Sequence, residues 1–297
     1  MDVRHLSILR ELGDRGSVTA VAQALFITPS AVSQQLAVLQ RGVPVALTQR
    51  CGRSLVLTDA GRALADAATD VATALARAEV AVDAFLGDPR GTVRVAAFSS
   101  AATAFFPALL QAGGPTVECA EHDVSQSRFP ALCADHDVVL AHRLDSSPPW
   151  PTTIAVTPLL HEPLDVAVPV GHALARHTTL TAEQVVAEPW IAVHEGFPLL
   201  APLEAIAAAA GRPLTIAHRI NDLTVAAGLV TAGAGLALMP RHTAPSAPGL
   251  VLRPLDGMDL ARHIDALVRP ERALRSSVGT VLATLTSAAE ALATSTD

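Results

Sequence analysis

The stretch 26-FITPSAVSQQLAVLQ-40 decides how the first part of the chain is read. Thr28 can cap a helix, and Pro29 takes its first position, where a missing N–H loses no hydrogen bond. Val32, Leu36 and Leu39 then recur at i, i+4 and i+7, leaving Ser30, Ser33, Gln34 and Gln35 on other faces. A helix that only fills a core has no use for so many short polar groups at its start. In the DNA major groove such a start has a use, because Gln can bond adenine N6 and N7 together and Ser can reach a base or a phosphate.

The flanks extend this reading. Upstream, Val3, Leu6, Leu9 and Leu12 form a helical face closed by Gly13, and Ser17 caps a second short helix lined by Val18, Val21, Ala22 and Leu25. Two short helices joined by Phe26 and Ile27 fit a helix-turn-helix; a surface helical hairpin fits the same pattern. Downstream, Pro44 forbids a continuing helix, so the third helix should stop near Gly42. The segment 50-RCGRSLVLTDAGRAL-64 then reads as a small β-wing, with Thr58 and Asp59 as caps of the next helix.

This segment, residues 1–61, resembles the LysR-type transcriptional regulators. The resemblance rests on Gly16-Ser17, the helix at 18–25, 28-TPSAVSQQL-36, Leu39, 50-RCGR-53 and 57-LTDAG-61. It implies that Ser30, Ser33 and Gln34 face bases, beside Thr28, Pro29 and Gln35, while Arg50 and Arg53 approach phosphates or the minor groove of double-stranded DNA. Gly42, Pro44 and Thr48 depart from the family pattern. Thr48 stands where an aromatic normally plugs the base of the wing.

Composition agrees with a folded protein made of several units. The chain has 297 residues, half of them hydrophobic and 16% charged, with no Tyr. The net charge is −7, yet residues 1–58 carry six arginines against three acids, so the first segment is the basic one. Three cysteines suit a reducing compartment, and Met1–His5 leads into an amphipathic pattern, which together suggest a cytoplasmic protein with no membrane association.

Positions 64, 68, 71, 75, 78, 82 and 85 are Leu, Ala, Val, Leu, Ala, Val and Phe, spaced alternately by four and three. That is a coiled-coil seam, and it predicts a homodimer, or a homotetramer built from it, that presents two recognition helices to a dyad-symmetric site. The alternative is an amphipathic helix packed on its own domain. Gly87-Asp88-Pro89-Arg90-Gly91 ends it as a hinge.

Beyond residue 91, short apolar segments such as 92-TVRVAAF-98, 116-TVECAE-121, 137-DVVLAH-142, 164-LDVAVP-169 and 190-WIAVH-194 alternate with helical stretches, which implies an α/β unit with largely parallel strands. Residues 91–110 and 225–241 resemble the effector-binding part of the same family. The resemblance implies two Rossmann-like lobes, like a periplasmic binding protein, with a small-molecule effector between them. The expected organisation is a winged helix-turn-helix at 1–58, a linker helix at 59–87 and an effector-binding region at 91–297. Lobe I would take about 91–161 plus 268–297, and lobe II about 162–267.

Groups just past strand ends are then the pocket candidates: Ser99, Ser100 and Thr103; His142 and Arg143; His194 and Glu195; and Asn221, Asp222 and Thr224. Ser99 and Ser100 open a helix whose first N–H groups favour an anion such as a carboxylate, and Arg143 can add a charge-assisted partner. Cys119-x2-His122 and Cys133-x2-His136 have zinc-ligand types, but strand ends should hold the two histidines on the order of 16 Å apart. Gly233-x-Gly235 is only a fragment of a phosphate loop. No catalytic group, metal or cofactor is expected. The rival classes are a two-lobed small-molecule-binding protein and a hydrolase-like enzyme, both without specific DNA binding; the first lacks a signal peptide and the second a G-x-S-x-G turn.

Overall fold

The computed structural model describes residues 1–52, 54–86 and 91–294, without the side chains of residues 82–86. Three helices open the chain: α1 (Val3–Arg15), α2 (Val18–Ala24) and α3 (Pro29–Arg41). The local signals hold at three predicted caps, since Ser17 Oγ accepts from Ala20 N and Thr28 Oγ1 from Ala31 N, each at 3.1 Å, and Thr58 Oγ1 from Gly61 N at 3.0 Å. Gly13 does not end α1. The helix runs on to Gly16, whose left-handed φ of 70° returns its N–H to Leu12 O, while the bare Cα of Gly13 receives the Leu57 side chain. Leu25 also departs from expectation. As the C-cap of α2 it lies beyond the helical face and is exposed.

Leu9, Leu12, Val21, Val32 and Leu39 close the core of this unit. After α3 the chain crosses Pro44 in a loop held by one side chain: Gln40 donates to Val43 O and Val45 O and accepts from Leu47 N. The wing follows as an antiparallel pair, β1 (Thr48–Cys51) and β2 (Ser54–Leu57). Buried Leu47 and Leu57 fill its base beside the half-buried Thr48, so apolar side chains next to the departure do the work of the missing aromatic.

The helix α4 spans Asp59–Leu86. Ala65 and Ala68 are buried on the core of the first unit, with Leu64 and Val71 packed beside them. The first part of the expected seam is therefore covered by α1 within one chain, because periodicity specifies an apolar stripe and not the partner that covers it. Leu75, 47% exposed, and Ala78 remain open. The Val82 and Phe85 side chains and the hinge residues 87–90 lie outside the described residues.

The remainder holds β3 (Thr92–Ala97), α5 (Ser99–Gln111), β4 (Thr116–Glu121), α6 (Phe129–Leu132), β5 (Val138–Arg143) and β6 (Ala155–Pro169), followed by α7 (Ala182–Val185), β7 (Pro189–Ala192), α8 (Leu200–Ala209), β8 (Thr215–Arg219), α9 (Leu223–Thr231), β9 (Leu236–Pro240), β10 (Leu250–Arg253), β11 (Ala261–Val268), α10 (Pro270–Ala273) and α11 (Ser276–Thr294). The sheet order is β4-β3-β5-β11-β6-β9-β7-β8, with β10 also on β6. Parallel pairing holds for β4, β3 and β5 and for β8, β7 and β9. Between these sets, β6 and β11 run antiparallel and pass from one lobe into the other. Three core clusters result, one around Phe105, Phe129, Leu140 and Ile264 in the first lobe, and two in the second, around Trp190, Leu203, Ile206 and Leu236 and around Ile191, Val230 and Met239.

The first unit rests on the first lobe through charges. Arg269 donates to Glu11 at 2.8 Å and also to Asp14, Arg10 to Glu271 at 2.8 Å, and Arg15 to Asp135 at 2.8 Å. Burial alone would raise the Glu11 pKa, but the charges of Arg269 and Arg15 hold it below the usual carboxylate value.

Candidate DNA-binding face and interlobe cleft

The start of α3 faces outward. Thr28, Pro29, Ser30, Ser33 and Gln34 are exposed and Gln35 is half-buried. Ser33 Oγ donates to Pro29 O at 3.0 Å, so toward a ligand it offers an acceptor. Arg50 is exposed on β1, and Arg53 lies outside the described residues. Between Asp14 and Asp59 the sequence has no acidic side chain, and the face therefore opposes no phosphate with a carboxylate. Sequence periodicity missed Phe26. It is 96% exposed and adopts φ 54° in the turn before α3, a left-handed conformation that is uncommon for a bulky side chain.

Between the lobes lies a narrow cleft lined by residues of both. From the predicted set, Ser99, Ser100, His142 and Asn221 line it. The N-cap of α5 is Phe98, which provides no side-chain cap, so the first N–H groups of that helix are left for another acceptor. Ser100 Oγ accepts from Arg262 Nη2 at 2.9 Å. His142 packs on Phe98 and Phe129, and its Nδ1 is buried without a partner. Burial, with a smaller contribution from Arg262, lowers its pKa to about 3, so the ring is neutral at pH 7. Across the mouth Asn221 Nδ2 donates to Asp123 Oδ2 at 3.5 Å, joining the two lobes.

The other predicted residues lie apart from this lining. Thr103 sits one turn along α5 and donates to Ser99 O. Arg143 alternates with His142 along β5, so it leaves the cleft and pairs with Asp265 at 2.8 Å. His194 and Glu195 are exposed; the backbone of His194 donates to Asn221 Oδ1. Thr224 is exposed, and its N–H is used by Asp222 in capping α9. Arg262 takes the place expected of Arg143. Periodicity could not find it, because its partner Glu162 is a hundred residues away.

The two histidines are not held apart at opposite strand ends. His122 and His136 lie in loops, where strand rise does not set their separation, and their Nε2 atoms are 3.1 Å apart. They still do not form a four-ligand zinc site: Cys133 Sγ is buried and directed at Leu267 O. Gly235 makes a close strand approach, since a Cβ there would lie 2.7 Å from Pro189 O, and packing accounts for the Gly233-x-Gly235 fragment.

Two family descriptions match the chain: "Bacterial regulatory helix-turn-helix protein, lysR family" over residues 3–62 and "LysR substrate binding domain" over residues 86–290. The chain belongs to the LysR family. As a LysR-type protein it is a DNA-binding transcription regulator with an effector-binding region. It is 27% identical to the transcriptional dual regulator GltC of Bacillus subtilis (strain 168), covering 93% of this chain and 94% of the relative. Identity to the RuBisCO operon transcriptional regulator of Allochromatium vinosum is 23%, over 82% of this chain and 80% of that one. Among solved structures, a full-length OxyR from Pseudomonas aeruginosa superposes with a TM-score of 0.67 at 16% identity, covering 96% of this chain and 94% of that one. CbnR in complex with its target DNA gives a TM-score of 0.55 at 21% identity, over 97% and 100%. These two likenesses concern the fold. Among the described residues, no helix of this LysR-family chain is long and apolar enough to cross a membrane.

Proposed function

We propose that residues 1–58 read a dyad-symmetric DNA site, residues 59–87 link and pair two protomers, and residues 91–297 bind a small anionic effector between lobes divided near residues 161 and 268. Ser30, Ser33 and Gln34 contact bases, with Thr28, Pro29 and Gln35 framing them, and Arg50 and Arg53 approach the backbone. Among the described residues, the exposed Leu75 and Ala78 are the part of the seam left for a second copy, in a dimer or a tetramer. The protein acts in the cytoplasm and without catalysis. Ser100 Oγ is bonded to a guanidinium and not to a histidine, which supports binding over hydrolysis.

One observation carries the effector reading: the uncapped start of α5, with Ser99 and Ser100, opens into the interlobe cleft, which is also lined by His142 with its unpartnered Nδ1. An effector that closes the lobes around that point shifts the DNA-bound state only by its differential affinity for the two arrangements. The test is a thermal-shift screen of small carboxylates and phosphates on the full-length protein. A stabilising anion whose effect is lost in Ser99→Ala and His142→Leu supports the site; anions acting equally on these variants and on the parent contradict it.

A further inference from the structure

The face of the crossover strands turned away from the cleft carries a second cluster. His161 on β6 and His263 on β11 are direct cross-strand partners, with ring centroids 4.7 Å apart. Asp145 approaches from the loop after β5, and its Oδ1 lies 2.5 Å from His263 Nε2. One donor atom from each residue lies within 4.8 Å of the others. We propose that Asp145, His161 and His263 bind one divalent transition-metal ion of the zinc, cobalt or nickel type.

The chemistry of the set selects that class. Two neutral imidazoles and one carboxylate suit borderline ions, whereas magnesium and calcium require more oxygen donors. A tetrahedral ion with ligands at about 2.0–2.2 Å spaces its donors by roughly 3.4 Å. The three donors already lie within 4.8 Å of one another, so small side-chain rotations suffice to reach that spacing. Asp145 is free to rotate, with 73% of its side chain exposed, and His161 is exposed as well. The ion takes the place of the direct contact between Asp145 and His263, and water completes the coordination.

Charge around the cluster permits a cation. Arg143 stands beside His263 in the same row across the sheet, but it is held by Asp265 at 2.8 Å, whose carboxylate also accepts from Trp150 Nε1 at 2.7 Å. The nearest guanidinium is thus already paired. The site is separate from the effector cleft, because residues 161 and 263 alternate with Glu162 and Arg262 and point the other way. A bound ion would fasten together the two strands that pass between the lobes.

The experiment uses the untagged full-length protein, stripped with a chelator and titrated with Zn²⁺ by calorimetry and with Co²⁺ by visible absorption. The expected result is one equivalent per chain, a rise in Tm with the ion, and affinity reduced on the order of 100-fold or more in His263→Ala and Asp145→Asn. Melting of the metal-free variants establishes that they fold; Asp145→Asn, at an exposed position, serves if His263→Ala does not. His122→Ala is the control for the other histidine pair and should leave the titration unchanged. Binding by the parent no tighter than by a His161→Ala/His263→Ala double variant overturns the proposal, as does binding that disappears only in His122→Ala.

Discussion

Arg262 Nε stands 2.8 Å from Glu162 Oε2, and the two residues are cross-strand partners on β11 and β6. Their side chains are 2% and 0% exposed. Glu162 also accepts from His242 N and Thr243 N, and Arg262 also donates to Ser100 and Thr243. The ion pair therefore ties both crossover strands to the start of α5 and to the chain after β9. Removing one partner strands the other charge in a dry site. Arg262→Met should cost about 3–5 kcal/mol in denaturant unfolding, and Arg262→Met with Glu162→Leu should recover most of that loss.

Gly61 is where α4 meets the loop ahead of the wing. A Cβ there would fall 1.9 Å from Leu47 O, and a backbone carbonyl cannot step aside as a side-chain tip can. Gly61→Ala should destabilise the first unit by about 1–3 kcal/mol. In hydrogen exchange the loss of protection should be confined to α1 through β2, with the lobes unchanged.

The charged contact between the first unit and the first lobe predicts a change in mobility. Arg269→Met leaves Glu11 and Asp14 without their shared partner. Limited proteolysis should then cut near the start of α4 faster than in the parent, while unfolding of the lobes is little altered. Equal cleavage rates would show that the contact does not restrain the first unit.

His142 gives a pH dependence of known sign. Its native pKa is lowered from 6.5 to about 3, so between those values the unfolded chain takes a proton that the native site refuses. Stability from this group is complete above pH 6.5 and falls as pH drops toward 3, by about 1.4 kcal/mol per unit. Because other groups such as His136 titrate in the same range, the test is a difference: between pH 7 and 5 the stability of His142→Leu should fall less steeply than that of the parent by about that amount.

Local features were legible in the sequence and long-range ones were not. Thr28, Pro29, Ser17 and the wing could be read because a cap or a turn involves residues a few positions apart. The linker seam could be read as a stripe, but which surface covers Ala68 depends on where α1 lies. In the cleft, Ser99 and Ser100 follow from one strand-to-helix junction, whereas Arg262 depends on pairing between strands a hundred residues apart. Which of His142 and Arg143 faces the cleft turned on the register of β5, which its apolar run does not specify.

The central claim is sequence-specific DNA recognition by α3 and the wing, and footprinting of fragments selected from genomic DNA tests it most directly. The expected result is a protected dyad with half-sites about one helical turn or a multiple apart. Gln34→Ala should relax base preference at one position in each half-site by about 1–3 kcal/mol. Arg50→Ala should weaken binding to all sequences and lower the salt slope by about one unit. Protection without sequence preference at low salt, unchanged by Gln34→Ala, would contradict it.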